Sequence, residues 1–233
     1  MSKWLVITGG SHGVGKKTIA HFLQHGYRAL SIARTNCDID GVVNINIDLS
    51  KSNWSVDYAG MLSETVKDAE RICLVHNAAL FPRDAIGQIN ENDLQKLVNV
   101  NLVAPLMLNN IIIPQMKPGS SIIYIGSTLS EIAVQNRASY IMSKHAMVGM
   151  MRSTCQDLAA KFIHTCCICP GFLNTKMLTD EVDAQSLKAL VEARVVAKRL
   201  LEPEEIAEFI YFSAEHPMVN GSVMHANLGQ VMS

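Results

Sequence analysis

Tyr140 and Lys144 stand four residues apart in the stretch Ser139-Tyr140-Ile141-Met142-Ser143-Lys144-His145-Ala146, at the head of a long apolar-striped segment. On a helix that spacing puts both side chains on one face. A phenol titrates near ~10 and parts with its proton reluctantly at neutral pH. A fixed ammonium beside it favours the phenolate and pulls its pKa down. Lowering a phenol by roughly three pH units takes about 4 kcal/mol of preference for the anion. A nearby lysine in a partly dry site supplies part of that. The chemistry on offer is proton exchange with an oxygen. Such pairs are also ordinary on helix surfaces, so this one gains weight only from what the chain places around it.

The elements that would position the pair read as alternating strands and helices. Lys3 to Thr8 is a short apolar strand, followed by Thr8-Gly9-Gly10-Ser11-His12-Gly13-Val14-Gly15. Ile19, Phe22 and Leu23 then recur at helical spacing and predict a helix closed by Gly26. A glycine-rich turn between strand and helix offers free backbone N–H groups and a helix dipole to an anionic phosphate. Further strands are expected at Arg28–Ala33, Val42–Ile47, Arg71–His76, Ser121–Ser127, Ile163–Cys169 and Ser222–Ala226. Helices are expected at Ser55–Val66, Asn92–Met116 with a break or kink at Pro105, Tyr140 to about Phe162, and Glu204–Ser213 after Pro203. Most strands are apolar on both faces, which predicts a parallel sheet covered on both sides. With a phosphate-type turn after the first strand this is an α/β, doubly wound Rossmann fold that binds a dinucleotide. We expect a single domain over residues 1–233.

Composition narrows the function classes. The chain has 233 residues, 48% of them hydrophobic, and a formal net charge of −1. No basic patch points to nucleic acid, and the apolar runs at the N-terminus and at Ile111-Ile112-Ile113 are short for a membrane span. A soluble, cytoplasmic protein is expected. The six cysteines, including Cys166, Cys167 and Cys169, show no Cys-x-x-Cys spacing. They read as reduced, buried small hydrophobes, and no metal site is expected.

Taken together, these residues resemble the short-chain dehydrogenase/reductases over nearly the whole chain. The turn Thr8-Gly9-x-x-x-Gly13-x-Gly15 resembles the family's cofactor motif, so Gly9, Ser11, His12, Gly13, Val14 and Gly15 are implied to hold the cofactor. Asn77-Ala78-Ala79 resembles the family's Asn-Ala-Gly. Asp48, with Leu49, falls where the family contacts the adenine. Asn101 matches its helix asparagine, and Ser127, Tyr140 and Lys144 match its catalytic serine, tyrosine and lysine. Pro170-Gly171 and Thr175 match its nicotinamide-contacting turn. Two departures stand out: His76 where asparagine is common, and His225-Ala226-Asn227-Leu228-Gly229 in place of a usual Asp-Gly-Gly.

The resemblance implies hydride transfer between a nicotinamide and a carbonyl or alcohol, with Tyr140 as general acid/base. Lys144 would lower the phenol pKa and hold the ribose, Ser127 would bond the substrate oxygen, and Asn101 would fix a water. An NAD site usually places an acid about twenty residues after the glycines. Here Ile32-Ala33-Arg34-Thr35 has none, and Arg34 suits a 2′-phosphate, so NADP(H) is favoured over NAD(H). Asp38 is the weaker, opposite candidate. The segment from about 174 to 202 is expected to fold over the substrate as a lid. Its substrate stays open: a small carbonyl or alcohol, or the 3-oxoacyl-acyl-carrier-protein of fatty-acid synthesis, since Arg199–Ala207 resembles the same stretch of bacterial 3-oxoacyl-acyl-carrier reductases. A non-enzymatic dinucleotide-binding regulator is the third reading. The surplus apolar residues on the helices around Leu106 and Met150 imply a homo-oligomer, a dimer or tetramer.

Overall fold

A computed structural model describes residues 2–232 of the chain. Seven strands form one sheet, β1 (Ser2–Thr8), β2 (Arg28–Ala33), β3 (Val43–Asn46), β4 (Ala69–His76), β5 (Ser121–Ile125), β6 (His164–Pro170) and β7 (Val223–Ala226). They run parallel in the order β3-β2-β1-β4-β5-β6-β7, with Val6 of β1 aligned to Leu30 of β2 and Leu74 of β4. The strand order reverses between β1 and β4, which opens a crevice at their C-terminal ends.

The strands are continuous Val/Ile/Leu runs because both sheet faces are covered. Successive side chains alternate between two cores. Trp4, Val6, Leu30, Leu74, Ile122 and Tyr124 face one side. There they meet α2 (Trp54–Val66), α4 (Ala104–Ile112) and α5 (Ala138–Asp157). Leu5, Ile7, Val75, Ile123 and Ile168 face the other, against α1 (Gly13–Gln24) and α8 (Pro203–Glu215). On α1, Ile19 and Phe22 are fully buried. Each such side chain contributes about 2 kcal/mol, which fixes the helix start against the first strand. Short α6 (Lys176–Thr179) and α7 (Ala184–Arg194) carry a third, smaller cluster of Leu187, Val191 and Val195, apart from both sheet cores.

Several boundaries differ from the sequence expectation. The helix at Pro105 does not break. Glu91–Gln115 stays helical, as α3 (Glu91–Val98), a π-turn over Asn99–Val103, and α4. The Ala104 N–H reaches back five residues to the Asn99 carbonyl. Pro105 has no N–H to continue the regular ladder, so the helix widens just before it. That segment has the length and apolar character of a membrane span, with a mean hydropathy of 1.5. In this fold Leu97, Val100, Ala104, Leu108 and Ile112 seat it in the core. The tyrosine-bearing helix ends at Asp157 rather than Phe162; a 3₁₀ turn follows, and Phe162 takes a left-handed conformation at φ 52°.

Candidate active site

The crevice is built first from the glycine turn. Gly9 and Gly13 sit at φ +69° and +51°, where other residues are strained. A Cβ on Gly15 would lie 2.2 Å from the Gly9 carbonyl oxygen, so the turn closes only with glycine there. His12 precedes α1 in extended conformation, and no side chain caps the helix N-terminus. Its first amides are free to meet an anion, in the manner of a phosphate site. His12 itself is exposed and bonds the Ser11 hydroxyl at 2.9 Å. Val14 is buried beneath the turn.

The second wall comes from the end of β4. The Thr8 hydroxyl accepts from the Asn77 and Ala78 amides at 3.0 and 2.9 Å. Asn77 Nδ2 returns a bond to the Thr8 carbonyl at 2.9 Å. These bonds staple Asn77-Ala78-Ala79 to the glycine turn. His76, just before them, is buried and bonds Asn109 at 2.8 Å; burial lowers its pKa to about 4, so it is neutral. It serves packing here, in the place where the family commonly has asparagine.

The third wall follows β6. Pro170 is buried at the strand end, and Gly171 is packed so closely that a Cβ would meet Gln230 Oε1 at 2.6 Å. Thr175 reaches over the glycine turn, its methyl 3.6 Å from where a Gly13 Cβ would stand. At the far end of the crevice Asp48 accepts from the Ser50 amide and hydroxyl at 3.0 and 2.7 Å, which hold its carboxyl below the usual range. Leu49 beside it is buried. Arg34 is exposed at the end of β2, close enough to contribute to that lowering. Asp38 is held by Lys16 at 2.6 Å.

Ser127, Tyr140 and Lys144 converge over β5. The buried stripe of α5 runs Tyr140, Lys144, Met147, Met151, so the pair occupies the sheet-facing side at its N-terminal end. The Lys144 ammonium donates to the Ile125 carbonyl at 2.6 Å and lies 5.5 Å from the Tyr140 ring centre. Ser127 lies two residues beyond Ile125; its hydroxyl accepts from the Leu129 amide at 3.1 Å and stands near enough to the phenol to favour its ionised form. Asn101 is fully buried in the π-turn. Its side chain accepts from the Leu80 amide at 2.8 Å and donates to Ser143 at 3.0 Å, tying that turn to the helix of Tyr140.

The electrostatics correct the expectation for the phenol. Burial pushes the Tyr140 pKa up to about 12, with Ser127 and Arg137 pulling weakly the other way. Burial also lowers Lys144 to about 8. The ammonium is committed to the Ile125 carbonyl, and desolvation sets the direction of the phenol's shift. Lowering the phenol pKa therefore needs a further cation in the crevice.

Sequence reasoning gave no site role to four residues, of which it left only Ser143 without any reading beyond its place on the helix. Thr8 holds the turn, Ser143 partners Asn101, and Cys167 and Cys169 lie below Gly126, where a Cβ would strike both sulfurs at 2.8 Å. Their signals were faint: a strand-end threonine, a helix serine, and a two-residue cysteine spacing that shares a strand face. His225 pairs with Glu131 at 3.2 Å and makes no contact with Ser127, Tyr140 or Lys144.

Comparison with known proteins agrees with this geometry. The family model described as Enoyl-(Acyl carrier protein) reductase matches residues 12–230. An uncharacterised oxidoreductase of Thermotoga maritima is 29% identical, over 97% of this chain and 96% of its own. Carbonyl reductase family member 4 of Xenopus laevis is 27% identical, covering 96% of each chain. A 3-oxoacyl-[acyl-carrier-protein] reductase of Chlamydia pneumoniae is 25% identical over 92% of this chain and 90% of its own. The solved structure of 4-hydroxyisoleucine dehydrogenase complexed with NADH superposes with a TM-score of 0.90 at 21% identity, covering all of both chains. On the family match and the crevice together, this chain belongs to the short-chain dehydrogenase/reductases and is a nicotinamide-dependent oxidoreductase.

Proposed function

We propose that the protein exchanges hydride between NADP(H) and a small carbonyl or alcohol substrate, with Tyr140 as the general acid/base. The observation that carries this reading is the convergence of Ser127, Tyr140 and Lys144 at the C-terminal end of β5. The free α1 amides and the Gly9–Gly15 approach suit a pyrophosphate. Asp48 and Leu49 would flank the adenine, and Asn77 to Ala79, Pro170, Gly171 and Thr175 would border the nicotinamide half. The nicotinamide supplies or accepts the hydride when bound.

In the reducing direction Tyr140 gives its proton to the carbonyl oxygen as charge builds there, and the Ser127 hydroxyl bonds the same oxygen. Lys144 would hold the ribose hydroxyls, and the positive nicotinamide ring of the oxidised cofactor would add the cation that favours the phenolate. Asn101 keeps the π-turn and α5 in register so that a water can refill the proton. Arg34, exposed and free of an ion pair among the described residues, would take a 2′-phosphate. Asp38, the competing acid, is neutralised by Lys16. The segment 174–202, with its own small apolar cluster, would act as the lid.

A screen of aldehydes and ketones, followed by NADPH and NADH oxidation, tests the reading. Tyr140→Phe should lose at least ~10²-fold in turnover with cofactor affinity near normal. Wild-type-like turnover in that variant rejects the proposal. A second reading, reduction of acyl-carrier thioesters, is favoured by the similarity to the acyl-carrier reductase. Turnover of a carrier-linked 3-oxoacyl group far above that of free ketones would establish it.

A further inference from the structure

Beside Phe81, whose ring packs on that of Tyr140, lies a buried arginine that the hydride chemistry does not use. Arg137 precedes α5 and is buried, with Nη1 donating to the Phe81 carbonyl at 3.0 Å. Its guanidinium lies 3.7 Å over the Phe81 ring, whose edge in turn meets the Tyr140 ring at 4.6 Å. A single aromatic ring therefore separates this fixed charge from the phenol. Asp84 holds the arrangement rigid by accepting from the Ser139 amide at 3.0 Å.

On its open side Arg137 faces a cavity of about 350 Å³ between the loops before α5 and the start of α7. Arg83 stands on the same wall, exposed, with no ion pair among the described residues. Two carboxylates lie opposite. Asp183 is occupied in capping α7, accepting from the Ser186 amide at 2.9 Å. Glu181 alone meets Arg137, at 2.9 Å, from the short loop between α6 and α7. The site thus already binds a carboxylate, one supplied by the segment that would close over the substrate. Buried arginines are kept for such planar, bidentate partners.

We propose that Arg137 and Arg83 form a carboxylate subsite one ring away from Tyr140, so that the substrate is an oxo acid or hydroxy acid whose carboxylate displaces Glu181. This inference rests on the reductase reading above and names its substrate class. Gln135 and Asn136, which line the same cavity, would complete the anion's hydrogen bonds.

The test is calorimetric titration of the NADP-saturated protein with linear oxo acids of increasing chain length and with their methyl esters. At least one acid should bind about 10-fold more tightly than its ester, the scale of one charge-assisted hydrogen bond. Arg83→Ala and Arg137→Gln should each remove most of that preference, read as the ratio of acid to ester affinity within each variant. Glu181→Gln should tighten the acid, because the internal competitor is gone. Equal binding of acid and ester across the series overturns the subsite. So does a Glu181→Gln variant that weakens both, since Glu181 would then be only a latch. NADPH oxidation read in parallel samples, with NADPH in place of NADP, keeps the two proposals apart. Acid-selective binding without turnover of any ketone refutes the reductase and leaves the subsite standing; turnover without acid preference does the reverse.

Discussion

Lys144 makes the site measurable without a substrate. Its ammonium is buried, and its pKa falls from the ordinary 10.5 to about 8. At ~1.36 kcal/mol per pH unit the charged form costs the cofactor-free fold roughly 3 kcal/mol. The sign follows from linkage. Below about pH 8 both folded and unfolded chains carry the proton, and the full penalty applies. Between about 8 and 10.5 the folded protein releases its proton first, and the penalty fades. Lys144→Met removes the titrating group while keeping an unbranched chain beside Met147. It also leaves the Ile125 carbonyl without its donor, a cost of about 1–3 kcal/mol that does not vary with pH. The pH dependence of the stability difference therefore isolates the charge. From about pH 7 to about pH 9.5 the variant should lose roughly 2 kcal/mol of its stability relative to wild type. Urea unfolding of both proteins, without cofactor and at matched concentration, reads this directly. Parallel stability curves across that range would refute the argument that burial, rather than the Ile125 hydrogen bond, governs this lysine.

Other perturbations separate the remaining roles. Arg34→Asp should invert the preference for NADPH over NADH, measured as the ratio of the two dissociation constants; a wild type that already binds NADH better would return the assignment to Asp38. Gly15→Ala sets a methyl 2.2 Å from the Gly9 oxygen, so the turn must open; cofactor affinity should drop at least ~10-fold, and an unchanged affinity would show the turn is not the phosphate site. Leu106 and Met142 remain 44% and 47% exposed on the two outer helices, the face expected to pair with a second copy. Light scattering should show a dimer or tetramer, and Leu106→Glu should split it without unfolding; a wild-type particle of 25.6 kDa would end that proposal.

The architecture was legible because its signals are local. Unbroken apolar runs such as Leu5-Val6-Ile7 mark strands buried on both faces, and Ile19 with Phe22 marks a helix stripe whatever the partner. Tyr140 and Lys144 were paired by their spacing on a helix, and Ser127 joined them through the family resemblance. What spacing cannot carry is the direction of a long side chain. Lys144 can reach the phenol or the Ile125 carbonyl from the same backbone, and only the packed site shows that it takes the carbonyl. The contacts of Arg137 lie equally beyond sequence reading. They depend on Phe81 and Glu181, which approach from separate loops. The widening before Pro105 was half visible: the proline announces a lost donor, but whether the helix kinks or widens depends on the core around Asn101.

The stapling of the glycine turn also bears on how the chain folds. Thr8 bonds Asn77 across 69 residues, and Thr175 closes over Gly13 from much farther along the chain. Contacts so distant in sequence form late and slowly in a parallel sheet. The proposed phosphate site is therefore incomplete until β4 and β6 have docked, even though its glycines lie near the start of the chain. A refolding or nascent chain that has built only β1, α1 and β2 has the turn but not its walls. Nucleotide capture thus reports the finished sheet, and a cofactor added during refolding can stabilise only the last species on the pathway.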